Sequence, residues 1–295
     1  MASKPQPKAA IIQFSPRNRF EGEEELPVGL PPPASARDAA APAANAIDLT
    51  GKPKIWFAIG PGRSGKTMLL RWAVETCVAQ GAAPIVAAAD PQNRSLKNYM
   101  EVEQPPTNDA LATSRWLEAL LRHGMEQKAS AMVDLGGGDT SLHKLLSTVP
   151  DLSAALDDAN VAAVAVYTLG PRVDDLASLA SFEALGFRPA ATVLVRNEGL
   201  ADPMTDREDA FARVLRHSAY RSAVGRGAVE VWMPRLDAAV AQEIEAKRLG
   251  FLPARDAVSP EGRTVAPLGP FDRSRVRHWL VTMAAEMAPI MTWLP

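Results

Sequence analysis

The stretch "GPGRSGKT", residues 60–67, constrains this chain more than any other. Gly60, Gly65, Lys66 and Thr67 fit the pattern G-x-x-x-x-G-K-[ST] without a mismatch. Ahead of it runs "KIWFAI" (54–59), short, apolar and rich in aromatic and β-branched residues, which predicts a buried strand. Behind it, Met68, Leu69, Trp72, Ala73, Cys77 and Val78 recur at helical spacing until Gly81 stops the pattern. Strand, glycine loop and helix together make an anion-binding nest: successive backbone N–H groups point inward, and the helix N-terminus adds partial positive charge. Lys66 is expected to reach the β- and γ-phosphates of a nucleotide and Thr67 to ligate Mg²⁺. Gly60, Pro61, Gly62, Arg63, Ser64, Gly65 and Met68 complete the expected phosphate-side lining. A plain strand-to-helix turn with a basic residue is the bland reading, and the flanking elements argue against it.

A chain of 295 residues can hold one large α/β domain and tails. Its net charge of −2 implies no bulk attraction to nucleic acid or membrane. The single cysteine, Cys77, excludes an internal disulfide and fits a reducing cytoplasm. No apolar run has the length of a signal-peptide core or of a membrane span, and four scattered histidines suggest no metal site. Residues 1–50 hold 8 of the 25 prolines together with "EGEEE" and "PPP", the composition of a disordered tail, and deleting them is expected to spare the fold. Within the tail "AAIIQF" (9–14) reads either as a docking segment or as a chance apolar patch.

From Lys54 onward, buried runs alternate with helical patterns. Strands are expected at 84–89, 130–135, 161–169, 190–196 and 228–233, with helices at 108–124, 172–186, 206–222 and 235–250. Two short helical pieces meet at Pro150. This order predicts an α/β fold of P-loop NTPase type, a mainly parallel sheet with helices on both faces. The ATPase domain is placed at 51–251, followed at 252–295 by a proline-rich linker and a closing helix. On that helix Val276, Trp279, Leu280, Met283 and Met287 make one stripe. Packing on the core is the favoured reading of the stripe over membrane binding.

Two further segments carry carboxylates to strand ends, where open α/β sheets bind ligands. "AADPQNRS" places Asp90 to orient water or a Mg²⁺-bound water; as an Asp-Pro dipeptide it is equally a turn. "MVDLGGGD" ends an apolar strand on Asp134, the expected acidic partner of the loop for Mg²⁺, and sets Gly137 three residues on, where its amide meets a γ-phosphate. The three glycines leave that backbone free to move.

With these segments in order, the chain resembles the ParA/MinD family of P-loop ATPases over about residues 54–251. The "DLGGGD" variant is similar to ParA-like proteins of plasmid stability and conjugation regions such as StbB. The resemblance implies that Asn197 in "VLVRNEG" lies near the base and that Pro234 and Arg235 edge it. It implies catalytic roles for Lys66, Asp90 and Asp134. It also implies ATP and Mg²⁺ as cofactors, an ATP-dependent homodimer and a DNA-binding partner protein. The family loop reads G-K-G-G-x-G-K-[ST], its first lysine touching the phosphates of the partner subunit. Here Pro61 takes that place and Arg63 follows two residues later. The first of the family's two aspartates after strand two is Ala88 here.

The function expected is therefore an ATP-driven switch, weak in hydrolysis, acting in plasmid or DNA partition, stability or conjugative transfer. A nucleotide-binding adaptor with little or no turnover is the alternative, and Pro61 and Ala88 favour it somewhat. A small-molecule kinase, with Asp139 or Asp90 as base, is the third reading. Direct DNA contact, weak or non-specific, would run through Arg213, Arg216 and Arg221, a stretch that reads as readily as a solvated helix face.

Overall fold

The computed structural model describes residues 47–90, 95–260 and 262–295. Residues 1–46 of the tail expected at 1–50, with its "AAIIQF" segment, and the "PQNR" that follows Asp90 lie outside the described residues. Six strands form one sheet: β1 (Lys54–Ile59), β2 (Ile85–Ala88), β3 (Ala131–Asp134), β4 (Ala162–Leu169), β5 (Ala191–Asn197) and β6 (Val229–Met233). Their order is β2-β3-β1-β4-β5-β6, and every pairing is parallel. This is the α/β fold of P-loop NTPase type. The chain leaves β1 toward one edge of the sheet and leaves β4 toward the other. A crevice thus opens at the carboxyl ends of these central strands.

Strands buried on both sides need apolar residues on both faces. β1 does this by alternation: Trp56 and Ala58 enter one core, Ile55, Phe57 and Ile59 the other. The first core takes α1 (Lys66–Ala79), α8 (Ala238–Lys247), α9 (Phe251–Asp256) and α10 (Pro270–Glu286). The second takes α2 (Ala110–Gln127), α3 (Ser141–Thr148), α4 (Leu152–Asp158), α5 (Ala177–Ala184), α6 (Arg207–Arg216) and α7 (Ser218–Gly225). Three helices begin where an aspartate side chain accepts from the first-turn amides. Asp109 caps α2, Asp206 caps α6 and Asp237 caps α8. Glu75 of α1 does the same for α9 from a distance, accepting from the Phe251 and Leu252 amides at 3.0 and 2.8 Å. At the β2 edge, Glu103 bridges in parallel to Ala87, so that edge is partly covered.

Three expectations need correction. The helix expected at 206–222 breaks at His217, whose extended backbone ends α6 and whose ring nitrogen accepts from Ala219 to start α7. The tail boundary at residue 50 is too late: Leu49 is buried in the core, and the Ile47 carbonyl accepts from the Trp293 indole at 2.6 Å. The boundary at 251 cuts into α9, while Val276, Trp279, Met283 and Met287 of the expected stripe, together with Ile290 and Trp293, lie in the first core. No described helix is long and apolar enough to cross a membrane.

Trp293 ties the last turn to both the first strand and the chain's entry. Its carbonyl accepts from the Trp56 indole, and its own indole reaches Ile47. Trp293→Ala should therefore lower unfolding free energy by about 3–5 kcal/mol, the usual cost of truncating a buried large aromatic. Urea denaturation measures it, and a loss below about 1 kcal/mol would place Trp293 outside the core.

Candidate nucleotide site

The loop 60–65 joins β1 to α1 at the crevice. Arg63 and Gly65 both adopt left-handed backbone, φ 64° and 98°. Gly65 has no room for a side chain: a Cβ there would lie 2.4 Å from the Asn197 amide nitrogen and 2.6 Å from the Met233 methyl. Gly60 is pressed in the same way against Thr168 of β4, whose carbonyl and hydroxyl oxygens would each lie 2.6 Å from a Cβ. Ser64 is buried between them, its hydroxyl 2.6 Å from the Thr168 hydroxyl. Unlike α2, α6 and α8, α1 begins with no side-chain cap. Its leading amides are thus not satisfied by a carboxylate of their own.

Lys66 is 7% exposed and folds back over the loop, donating to the Gly60 carbonyl at 2.9 Å and the Pro61 carbonyl at 2.8 Å. Burial pulls its ammonium below the ordinary lysine range, and the Asp134 charge opposes that pull. Asp134, at the end of β3, is 1% exposed. One of its oxygens is 3.4 Å from the Thr67 hydroxyl; the other, Oδ1, is buried without a hydrogen-bond partner among the described residues. Burial pushes this carboxyl above the usual aspartate range; Lys66 and the Thr67 hydroxyl act against it, and Asp90 adds to it. A buried carboxylate with an open oxygen beside a threonine hydroxyl fits Mg²⁺, whose remaining places are filled by phosphate oxygens and water. Among the described residues no group of three or more His, Cys, Asp or Glu side chains is arranged to hold a metal by itself.

The "GGG" turn after β3 closes against the loop. A Cβ on Gly137 would lie 2.3 Å from the Gly62 nitrogen and 2.7 Å from its Cα. Only glycine fits so near the backbone of Pro61–Gly62. Gly136 packs on Asp90, with 3.2 Å between its added Cβ and the Asp90 Cβ. Asp90, Gly136, Gly138 and Asp139 line a cavity of about 290 Å³ beside the loop. Both Asp139 oxygens accept from Ser141, its amide at 3.0 Å and its hydroxyl at 2.7 Å, so Asp139 serves the start of α3.

The residues implied for the base are used within the chain. The Asn197 side chain donates to the Ser64 carbonyl and accepts from the Gly199 amide, both at 2.9 Å. Arg235 donates to the carbonyls of Glu198 and Ala201, and the Pro234 carbonyl accepts from the Trp279 indole at 2.9 Å. Pro234 and Arg235 line a separate cavity of about 610 Å³ against α10. Met68 is half-buried beside Arg71. Arg63 is exposed, with no hydrogen-bond or ion-pair partner among the described residues. Thr168 carried no motif, and only its place at the end of the strand beside β1 marks it.

No family model and no curated protein matches the chain. Among solved structures, it is similar to the chloroplast FtsY from Physcomitrella patens, at 14% identity over 80% of this chain and 68% of that one, with a TM-score of 0.40. It is also similar to the signal recognition particle receptor FtsY from Elizabethkingia anophelis in complex with GDP. There the identity is 13% over 63% of this chain and 58% of that one, with a TM-score of 0.39. For FtsY from Mycoplasma mycoides the values are 12%, 61%, 60% and 0.36. The chain spans less than two thirds of the latter two.

Gly137→Ala must displace either the turn or the loop, because the atoms it meets are backbone. It should cost about 1–3 kcal/mol of unfolding free energy, as overpacking does. Gly138→Ala, with nothing within 4 Å of its added Cβ, is the control. Equal denaturation midpoints for the two variants would contradict the closed contact.

Proposed function

We propose that the chain is a nucleotide-binding switch that takes ATP with Mg²⁺ at the 60–67 loop. The convergence of Lys66, Thr67 and Asp134 carries this reading, above all the buried Asp134 oxygen that has no partner. The loop amides from Gly62 to Lys66 form the donor set for phosphate oxygens. Lys66 exchanges two carbonyl acceptors for phosphate, and Thr67 and Asp134 hold the metal. Bound Mg²⁺ neutralises phosphate charge and so relieves the buried carboxylate. Asp90 orients water, and the Gly136–Gly138 turn, now against Gly62, is the element that answers to a γ-phosphate.

The resemblance of the sequence to ParA/MinD proteins supports a role in plasmid or DNA partition, stability or conjugative transfer, exercised through an ATP-dependent homodimer and a DNA-binding partner protein. Of the arginines between residues 206 and 226, Arg207 pairs with Glu198 and Glu286, and Arg226 with Glu183. Arg213, Arg216 and Arg221 are exposed on α6 and α7, and these three would make any weak DNA contact. The adaptor reading keeps two specific supports: Pro61 stands where the family loop has its first lysine, and Ala88 where the family has its first aspartate. The engagement of Asp139 by Ser141 weighs against the kinase reading.

Lys66→Ala should reduce ATP affinity at least about tenfold, since a hydrogen bond to a charged group is worth about 1.5–3 kcal/mol. Calorimetry showing unchanged affinity rejects the site. Asp134→Asn should spare affinity measured in EDTA and remove the gain on adding Mg²⁺. In the wild type that gain should shrink as pH falls from about 7 to 5. The metal needs the deprotonated carboxylate, and burial raises the pH at which Asp134 takes up its proton. A Mg²⁺ gain that Asp134→Asn retains would remove Asp134 from the metal site.

Arg63 is the loop cation free to cross to a second subunit. Arg63→Ala should keep ATP binding and lose ATP-dependent dimerisation in light scattering with a slowly hydrolysed analogue. A variant that dimerises like wild type sinks that role, and a wild type that stays monomeric favours the adaptor.

A further inference from the structure

Ser64 is gripped from two neighbouring strands. On its side chain, the Thr168 hydroxyl at the end of β4 lies 2.6 Å from the Ser64 hydroxyl and also reaches the Ile59 carbonyl at 3.3 Å. On its main chain, Asn197 at the end of β5 donates to the Ser64 carbonyl at 2.9 Å. All three side chains are buried: Ser64 is 2% exposed, Thr168 0% and Asn197 6%. The residues on either side of Ser64, Arg63 and Gly65, both have left-handed backbone. A non-glycine residue at φ 64° is held at a cost, so the surrounding contacts must determine it.

Resting on the nucleotide reading above, we propose that Thr168 and Asn197 are positioning residues for the phosphate loop, acting through Ser64, and that Asn197 serves the phosphates and not the base. The two grips hold Ser64 in place and fix the plane of the Ser64–Gly65 peptide, and with it the direction of the Gly65 amide that would face phosphate, while the Ser64 amide donates to the Pro61 carbonyl at 3.3 Å. Preorganised donors bind without the cost of ordering them at the moment of binding. Asn197 has both polar ends occupied, by Ser64 and by Gly199, so its part in binding is the loop geometry that it enforces. The same holds next to it, where Glu198 is paired to Arg207 at 2.7 Å.

The test uses the full chain with Mg²⁺ and three ligands: ATP, GTP and inorganic triphosphate, which has no base. Thr168→Val keeps the shape and removes the hydroxyl; Thr168→Ser restores it. Thr168→Val and Asn197→Ala should each weaken all three ligands by the same factor, about five- to tenfold, and Thr168→Ser should bind like wild type. A shift of the ATP-to-GTP ratio in Asn197→Ala with triphosphate unchanged makes Asn197 a base reader and overturns its assigned role. Thr168→Val binding like wild type overturns that of Thr168.

Loss of stability alone is separated by the double variant Ser64→Ala/Thr168→Val. Removing both partners of a buried hydrogen bond is nearly neutral for folding, whereas removing one strands the other. The double variant should regain the denaturation midpoint lost by Thr168→Val and still bind weakly. Affinity that returns with the midpoint contradicts positioning. A wild type that binds none of the three ligands is a different failure, that of the nucleotide reading itself.

Discussion

The Thr168–Ser64 hydrogen bond is the joint on which the phosphate loop depends. It links the end of β4 to the middle of a loop that leaves β1, and parallel pairing of these two strands brings the partners together. Around it the fit is close enough to forbid any side chain at Gly60 or Gly65. The strands thus do more than fill the core. Their carboxyl ends supply Thr168, Asn197 and Met233 as the wall against which the loop is moulded, and Asp134 as the carboxylate below Lys66.

Lys66 and Asp134 are buried together without touching in a formed ion pair, which is a costly arrangement. Each is shifted against its charge by burial, and each is partly sustained by the other. Buried charges left this way are seldom kept for stability alone. Phosphate oxygens and a divalent cation would satisfy both at once, replacing the loop carbonyls on Lys66 and filling the open oxygen of Asp134. The closed Gly137–Gly62 contact lies against the same loop, so under the proposed nucleotide reading ligand binding would act on the position of the glycine turn.

Much of this was legible in the sequence, for identifiable reasons. "KIWFAI" and "VAAVAVYTL" read as strands because central parallel strands are buried on both faces and need unbroken apolar runs. The strand, loop and helix could be read because Gly60 and Gly65 stand where no Cβ fits. What could not be read was long-range. Thr168 is one polar residue in an apolar run, and only the β1–β4 pairing gives it a partner 104 residues away. The break at His217 was hidden because α6 and α7 carry a continuous helical pattern. The stripe of the closing helix read as core packing, and Trp279 and Met283 do lie in the core over α1, but nothing in the sequence marked Trp293 as part of it. Arg71 drew no notice in the sequence, and the fold stacks it between the rings of Tyr99 and Phe251, 3.4 and 4.4 Å from their centres.

The central claim is that the loop between β1 and α1 holds phosphate and that the glycine turn after β3 responds to it. Amide hydrogen exchange, followed by mass spectrometry without ligand, with Mg-ADP and with a slowly hydrolysed ATP analogue, tests it most directly. Both nucleotides should slow exchange over residues 62–67, and the triphosphate alone should change exchange over 136–138. Exchange that is the same in all three states at both segments would contradict the account.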